Sequence, residues 1–501
     1  RYFMVKYPRN GYVMQATFRV PDCYVGLKEY GKAEEKYTEA LDRWPLYSGL
    51  FPETLYSLGL SYLRNKQYAK ARSMLFMALN IYPEQPYNHI IITKIGDTYL
   101  EEGKVEQALK VYSQNDVLYP ESRGAMISEI KMADLGVSNP GFFNFVQYLE
   151  PLEVYQKAID KYPATDLAEE ALYKEGRALA EQKRYKEAIN SLMKVLEDYP
   201  DSELSEKCFY SLQKNLVKLI DSYFSDEHYY SILEVYYQYK EPFLIETKDT
   251  KTLFQIGESF RQAGFHDEAL ELYGRAKRIY PPNHPEDELT FRVGGIYLQQ
   301  KAYDKAEKLF KKVITTFPQS TFYRASFHSL ADTYFEQERY DEARRAYGNA
   351  LEGDTRSVRG VKSLFRLGKC YQARGEETLT VETYEQTIRI AEELGPDQGA
   401  DTFVIEGYFT LADFLYQVQW YVDAIKVYTQ AIERFPEDER AQWALYRIAA
   451  SYRKAGKGGA EVESLKKLAA TGGGESFWKT VAGEQIRKLE WEVKNREYLA
   501  P

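Results

Sequence analysis

Alanine recurs at positions 33, 71, 108, 188, 269, 306, 343 and 424, each time inside one pattern. A glycine or alanine stands twelve residues before every one of them except Ala33. An aromatic or leucine stands four residues after, and a proline twelve after in all but one unit. The clearest unit runs from Thr290 to Pro318 through Val293, Gly294, Tyr297, Tyr303, Ala306 and Phe310. Another runs from Leu55 to Pro83 through Leu58, Gly59, Tyr62, Tyr68, Ala71, Leu75 and Ala78. Such a repeat constrains the chain more than any single residue, because it sets the architecture of nearly its whole length.

The pattern predicts two antiparallel helices per unit. Gly294 and Ala306 are small enough for the two backbones to approach closely, while Tyr297 and Phe310 fill the remaining volume at helical spacing. Pro318 cannot continue the second helix and ends it. One hairpin cannot bury its apolar faces alone, so neighbouring hairpins must stack.

These positions resemble the tetratricopeptide repeat. The small residue at the eighth template position is Gly59, Gly96, Gly176, Gly257, Gly294 and Gly368, then Ala331, Ala412 and Ala449. About twelve units fit the template, covering residues 11–470. The resemblance implies an all-α fold, an α-solenoid superhelix of helix-turn-helix repeats with a right-handed sense. Residues 475–497 read as a capping helix in which Phe477, Val481, Ile486, Leu489 and Val493 cover the last repeat.

The prolines closing the units fall mostly 37 or 38 residues apart, at Pro8, Pro45, Pro83, Pro120, Pro163, Pro200, Pro281, Pro318 and Pro436. The surplus over the usual period lies between units, in Tyr-Pro-x-Ser stretches whose Ser122, Ser202 and Ser320 are placed to cap the next helix. This style is similar to the bacterial cell-envelope branch of the family, the outer-membrane assembly lipoproteins and Tol-associated proteins. It implies a periplasmic or envelope-associated protein, with a cytoplasmic one as the alternative. The domain reading is the end of a truncated repeat at 1–10, an N-terminal lobe at 11–200, a tyrosine-rich helical junction at 201–250, a C-terminal lobe at 251–470 and the cap at 471–501. A lobe boundary is expected near Glu241-Pro242. An insertion near 136–146 carries Phe142, Phe143 and Phe145, which either plug a neighbouring groove or reach a partner. Because the first residue is Arg1 and Tyr7-Pro8 matches the end of a unit, an upstream signal or anchor is compatible with the chain.

The 501 residues carry a net charge of -9, 28% charged residues and a mean hydropathy of -0.54. Nucleic acid is excluded as a partner for such a surface, which lacks a basic footprint. No apolar run approaches the length of a membrane span. Most of the 45 tyrosines fall at five template positions and read as core packing with the hydroxyl at the edge. Cys23, Cys208 and Cys370 read as small buried fillers.

No enzyme signature, metal-ligand spacing or cofactor motif stands out. Gly456-Lys-Gly-Gly459 lacks the length of a phosphate loop and falls where two helices of a hairpin join. What remains is the concave side, lined in this family by the first helices. At template position five, eight of ten residues are Phe or Tyr, and at position nine five of ten are acidic. Each such acid is the i+4 neighbour of the position-five residue. The expected site is therefore an aromatic and acidic groove formed by Tyr56, Tyr173, Phe254, Glu258, Phe291, Asp332, Phe365, Phe409 and Asp413. The competing expectation is that the rings only pack between adjacent first helices. A groove of this kind would take extended or helical protein segments with apolar and basic side chains. Family members that grip a C-terminal carboxylate are set aside, since position nine holds no asparagine. The reading is a non-catalytic scaffold organising a multiprotein assembly, such as a secretion, pilus, motility, polysaccharide-export or outer-membrane assembly machine. The alternatives are the regulatory arm of an enzyme whose catalytic domain lies outside this chain, and a cytosolic receptor for a peptide signal.

Overall fold

The structure is a computed structural model that describes residues 2–46, 52–138, 150–245, 247–279, 286–395, 399–471 and 476–495. These residues hold twenty-six α-helices and no β-strand. The chain forms two compact units, Arg1–Ser259 and Phe260–Pro501.

The first unit opens with α1 (Tyr2–Lys6) and continues as hairpins of a first and a second helix. These are α2 (Val13–Gly26) with α3 (Tyr30–Arg43), α4 (Pro52–Arg64) with α5 (Tyr68–Ile81), and α6 (Asn88–Glu101) with α7 (Val105–Leu118). Then come α8 (Arg123–Ser138) with α9 (Pro151–Lys161), α10 (Asp166–Glu181) with α11 (Tyr185–Asp198), and α12 (Ser205–Ser225) with α13 (Tyr229–Tyr239). The division between units falls inside α14 (Thr250–Gln262), which is followed by α15 (His266–Ile279). The second unit holds α16 (Glu286–Gln299) with α17 (Tyr303–Thr316), α18 (Tyr323–Glu336) with α19 (Tyr340–Leu351), and α20 (Val358–Ala373) with α21 (Glu377–Leu394). It ends with α22 (Asp401–Gln417) and α23 (Tyr421–Arg434), α24 (Ala441–Lys454) and α25 (Gly458–Ala469), and a last helix α26 (Phe477–Lys494). The all-α solenoid of tetratricopeptide-like hairpins is thus the observed fold.

The periodic small residues explain why each pair closes. A Cβ added at Gly59 or Gly176 would stand 2.9 Å from Leu75 or 2.8 Å from Leu192, and one at Gly294 would stand 2.8 Å from Phe310. Each partner is the residue four after the repeat alanine, and the alanines themselves, such as Ala71 and Ala306, are fully buried. Removing a side chain on one helix therefore makes the space that a large side chain on the other fills.

One turn geometry joins the first helix to the second within the hairpins. The residue at template position fifteen adopts left-handed backbone, with φ between 58° and 84° at Lys28, Lys66, Gly103, Lys183, Glu227, Gly264, Lys301, Glu338, Gly375, Gln419 and Gly456. The next N–H then bonds to the carbonyl five residues back, as in Gln67 to Tyr62 and Ala302 to Tyr297, both at 2.8 Å. This closure satisfies carbonyls at the end of the first helix and stops it. Gly456 is such a turn residue, which accounts for the glycines around it.

Between hairpins the serines divide in role. Ser122 Oγ accepts from Ala125 N at 3.1 Å and caps α8. Ser202 and Ser320 instead accept from the N–H two residues on, at 2.8 and 3.0 Å, which shapes the turn before the helix. Their hydroxyls donate back to Glu169 and Asp287 at the start of the preceding first helix.

Two expectations of burial are not met, the first because of helical phase. In α26 the stripe facing α25 is Trp478, Ala482, Ile486 and Leu489, packed on Ala449, Leu465 and Leu468. Phe477 and Val493 lie off that stripe and are more than two-thirds exposed. Cys208 and Cys370 are buried, but Cys23 is exposed.

The hairpin at 205–239 diverges because its first helix is long. α12 has 21 residues, and the left-handed Glu227 puts Ile220 rather than a small residue at position eight. After α13 the chain kinks at Glu241, whose φ of -112° and ψ of 134° are not helical, and the segment Lys240–Leu244 packs Phe243 and Leu244 inward with a cis Glu241-Pro242 peptide.

Candidate partner-binding surface

The rings at template position five join successive hairpins. Tyr56 meets Tyr87 at 6.4 Å between centroids, Phe291 stacks on Phe322 at 5.2 Å, and Phe365 meets Phe403 edge-on at 6.1 Å. The Arg440 guanidinium lies 4.3 Å from the Phe409 centroid, and Tyr446 meets Trp478 at 5.2 Å. Every partner stands at the N-terminus of the next first helix, so these rings act as rungs between repeats. Phe365 and Phe409, 7% and 3% exposed, belong to the core of the second unit and not to an open groove. Glu258 is likewise buried, at 3%. Tyr56, Tyr173, Phe254 and Phe291 are half-buried and keep an edge at the surface. Phe142, Phe143 and Phe145 lie outside the described residues.

The acids at position nine have a different partner from the one their spacing suggests. Tyr112 Oη donates to Asp97 Oδ1 at 2.7 Å and Tyr347 Oη to Asp332 Oδ1 at 2.6 Å. Tyr37 donates to Asp22 and Tyr428 to Asp413 in the same way. Each tyrosine is fifteen residues after its acid, at the buried position on the second helix that faces the small residue. Glu258 and Tyr273 stand at the same offset. Where position nine is Leu60, Arg177, Gly295 or Ala450, the residue fifteen later is Leu75, Leu192, Phe310 or Leu465, which need no acceptor. Lys369 is the exception, and there Tyr384 Oη turns to Gln372 Oε1 at 2.9 Å. This covariation was present in the sequence and is the signal that the i+4 reading passed over.

Cations complete these sites from the same or the next first helix. Asp97 faces Lys94 at 2.9 Å and Lys131 at 3.7 Å; Asp332 faces Arg366 at 3.1 Å and Lys362 at 3.2 Å. Burial pushes the Asp97 carboxyl up, but Lys94, Lys131 and the Tyr112 hydroxyl together outweigh it and hold the group below its ordinary value. Burial first, and then the Asp97 charge, raise the Tyr112 hydroxyl far above its ordinary value, so it stays a donor. Asp332 is thus engaged by Tyr347 in its own repeat and by Lys362 and Arg366 from the next, and Asp413 by the Tyr428 hydroxyl. A buried tyrosine needs an acceptor, and the nearest first-helix position supplies it.

One polar chain in the second unit has the elements of nucleophilic chemistry. His328 Nδ1 lies 2.6 Å from Ser363 Oγ, and its Nε2 lies 3.3 Å from Asp354 Oδ2. Ser363 and His328 are both buried, and the three groups tie together α18, the turn between α19 and α20, and α20 itself. Burial lowers the imidazole's pKa despite the opposing pull of Asp354, so the neutral ring is the resident form. The chain is a strut at a position where other repeats carry a ring. Among the described residues no cluster of His, Cys, Asp or Glu could hold a metal ion, and no helix is long and apolar enough to cross a membrane.

A cavity of about 460 Å³ between α20 and α22 is lined by Asp413 with Phe335, Lys369 and Phe414, and further open space lies on both sides of α12 in the first unit. A cavity of about 570 Å³ is lined by Tyr210, Val217, Phe243 and Leu244 with Lys214, Lys218 and Lys248 at its edge. A smaller one of about 120 Å³ lies between α10 and α12, lined by Tyr173, Arg177 and Glu181 and again by Lys214 and Lys218. The two adjoin because they share these lysines. A cavity of about 780 Å³ among α9, α10 and α11 has charged walls that are largely self-paired, as in Arg184 with Glu187 at 2.6 Å and Ser191 with Glu175 at 2.7 Å.

Models of the tetratricopeptide repeat match residues 24–86, 170–202, 286–356 and 328–393. No curated protein sequence matches the chain. Among solved structures the chain is similar to the MamA protein, with 18% identity over 43% of this chain and 96% of that one and a TM-score of 0.30. It is similar also to yeast Tom70, with 14% identity over 96% of both chains and a TM-score of 0.30. A double mutant titled MamA RS-1 ArsTM aligns at 16% identity over 36% of this chain and 95% of its own, with a TM-score of 0.31. The small-residue contacts, the common turn and the matched segments together establish that this chain carries tetratricopeptide repeats.

Proposed function

We propose that the chain is a non-catalytic scaffold that holds segments of partner proteins against the exposed faces of its first helices and so organises a multiprotein assembly. The observation that carries this reading is the trough across α12, where cavities lined by Tyr173, Tyr210, Phe243 and Leu244 open beside a rigid stack of hairpins. Concave, largely pre-formed space with apolar walls and a few polar groups is where partners bind. The half-buried edges of Tyr56, Phe254 and Phe291 extend the same set of first-helix positions along the chain. The Tyr-Pro-x-Ser connections support an envelope setting; fractionation of native cells tests it, and recovery in the cytosol would rule it out.

The test is affinity capture from native extract with wild type and a Tyr173→Ala/Tyr210→Ala variant whose fold is checked by circular dichroism. The scaffold reading expects one or more proteins retained at stoichiometric level by wild type and lost from the variant. Identical retention by both would move the working surface away from this trough, and no stoichiometric partner would refute the scaffold.

A further inference from the structure

The free charge of the trough is positive, although the chain as a whole carries -9. Lys214, Lys218, Lys248 and Arg177 are exposed, and among the described residues none of them forms an ion pair. Lys218 Nζ lies 5.6 Å from the Tyr185 ring, which leaves its charge uncompensated. The acids nearby are mostly occupied. Asp249 Oδ2 accepts from Thr252 N at 2.8 Å and from Thr252 Oγ1 at 2.5 Å. Asp221 takes Lys251 at 2.5 Å and Gln255 at 2.7 Å. Glu181 and Asp249 line the two cavities beside the four cations, which outnumber them. The larger cavity behind the lysines has an apolar floor of Val217, Phe243 and Leu244, with the Tyr210 ring exposed at its lip.

We infer that this trough receives an acidic segment of a partner protein, with its carboxylates on Arg177, Lys214, Lys218 and Lys248 and one aromatic or aliphatic side chain seated in the 570 Å³ cavity. This rests on the scaffold reading and gives its partner a charge, opposite to the basic one that the position-nine acids suggested. Two features define the occupant. The cations lie on both sides of α12, Arg177 on one and Lys248 on the other, so they suit carboxylates spread along a chain. The apolar pocket between them adds an anchor that a simple anion would not use, and desolvated anchors with charges around them are how such sites gain affinity and sign selection. A free C-terminal carboxylate is not required.

The test begins with selection of random twelve-residue peptides displayed on phage against the whole chain, followed by binding of a fluorescein-labelled copy of an enriched peptide. Enriched sequences should combine several Asp or Glu with one aromatic or aliphatic residue. Affinity should fall by about tenfold or more in Lys214→Glu/Lys218→Glu and fall with added salt. Tyr210→Ala should weaken binding without changing the salt dependence. Amidated and free C-termini should bind alike. Basic or uncharged winners, or acidic winners indifferent to the double variant, would overturn the acidic-partner inference and leave the scaffold standing. Equal competition by oligo-dT would show a phosphate site and overturn it too. No enrichment above background would overturn both.

Discussion

Gly294 and Gly295 are neighbours in α16 and make a matched pair for testing what the repeat's small residue does. A Cβ at 294 would stand 2.8 Å from Cε1 of Phe310 and 3.2 Å from its Cδ1 and Cζ. Carbon atoms prefer roughly 3.5–4.0 Å, so Phe310 or the helix must move by about 0.7 Å. The Phe310 ring is fully buried with Phe291 at 5.8 Å, which leaves it little room to swing. Overpacking of this kind costs about 1–3 kcal/mol. At Gly295 nothing lies within 4 Å of the added carbon. Both substitutions to alanine gain about the same helix propensity, roughly 1 kcal/mol, so that contribution cancels between them. Gly295→Ala should therefore stabilise, and Gly294→Ala should fall below it by about 1–3 kcal/mol. For a unit of this size that gap is about 2–4 °C in Tm per kcal/mol. Repeat arrays can unfold in parts, so the thermal scan should be paired with hydrogen exchange, which should localise the loss to α16 and α17. Equal Tm values for the two variants would refute the argument. They would mean that Phe310 moves aside freely and that close helix approach is not what Gly294 provides.

Further outcomes follow from the same geometry. Tyr347→Phe should cost about 1–3 kcal/mol, since the half-buried Asp332 carboxylate loses a charge-assisted bond from a buried hydroxyl. A double-mutant cycle with Asp332→Asn should show coupling, and additivity would refute the pair. Because the Asp97 carboxyl is held below its ordinary value, its contribution is present above about pH 3.9 and lost as pH falls through the lower folded-state value. Asp97→Asn should accordingly flatten the acid limb of urea midpoint against pH, and an unchanged limb would count against it. Ellman's reagent should modify Cys23 quickly, with Cys208 and Cys370 reacting only on unfolding, because burial raises those thiols to about 11 and about 12. Phe409→Ala should cost about 3–5 kcal/mol as a core truncation, whereas Phe477→Ala should change stability by less than about 0.5 kcal/mol. Similar losses from both would contradict the helical phase seen in α26.

Much of the fold is written in the order of the residues. Gly294, Ala306, Phe310 and Pro318 announce a hairpin because one turn of helix has a set number of residues and two backbones touch only where side chains are small. That logic is local, and it repeats, so reading it once reads it a dozen times. The pairing of Asp332 with Tyr347 was also legible, as an acid at position nine wherever a tyrosine follows fifteen later. What the sequence could not decide was direction. Asp332 lies one turn from His328 along its own helix and fifteen residues from Tyr347, and only the packed hairpin shows which of the two it faces. The same holds for Phe365 and Phe409, which share a helix face with the groove positions but are covered by the N-terminus of the next first helix. The trough beside α12 was hidden further, because an extended first helix and the turn at Lys240–Leu244 bring Lys214, Lys218 and Lys248 beside Phe243 without any shared period. A periodic contact can be read along the chain because each copy solves the same local problem, whereas a surface is the set of side chains left uncovered once all the copies have stacked, and only the tertiary structure determines that remainder.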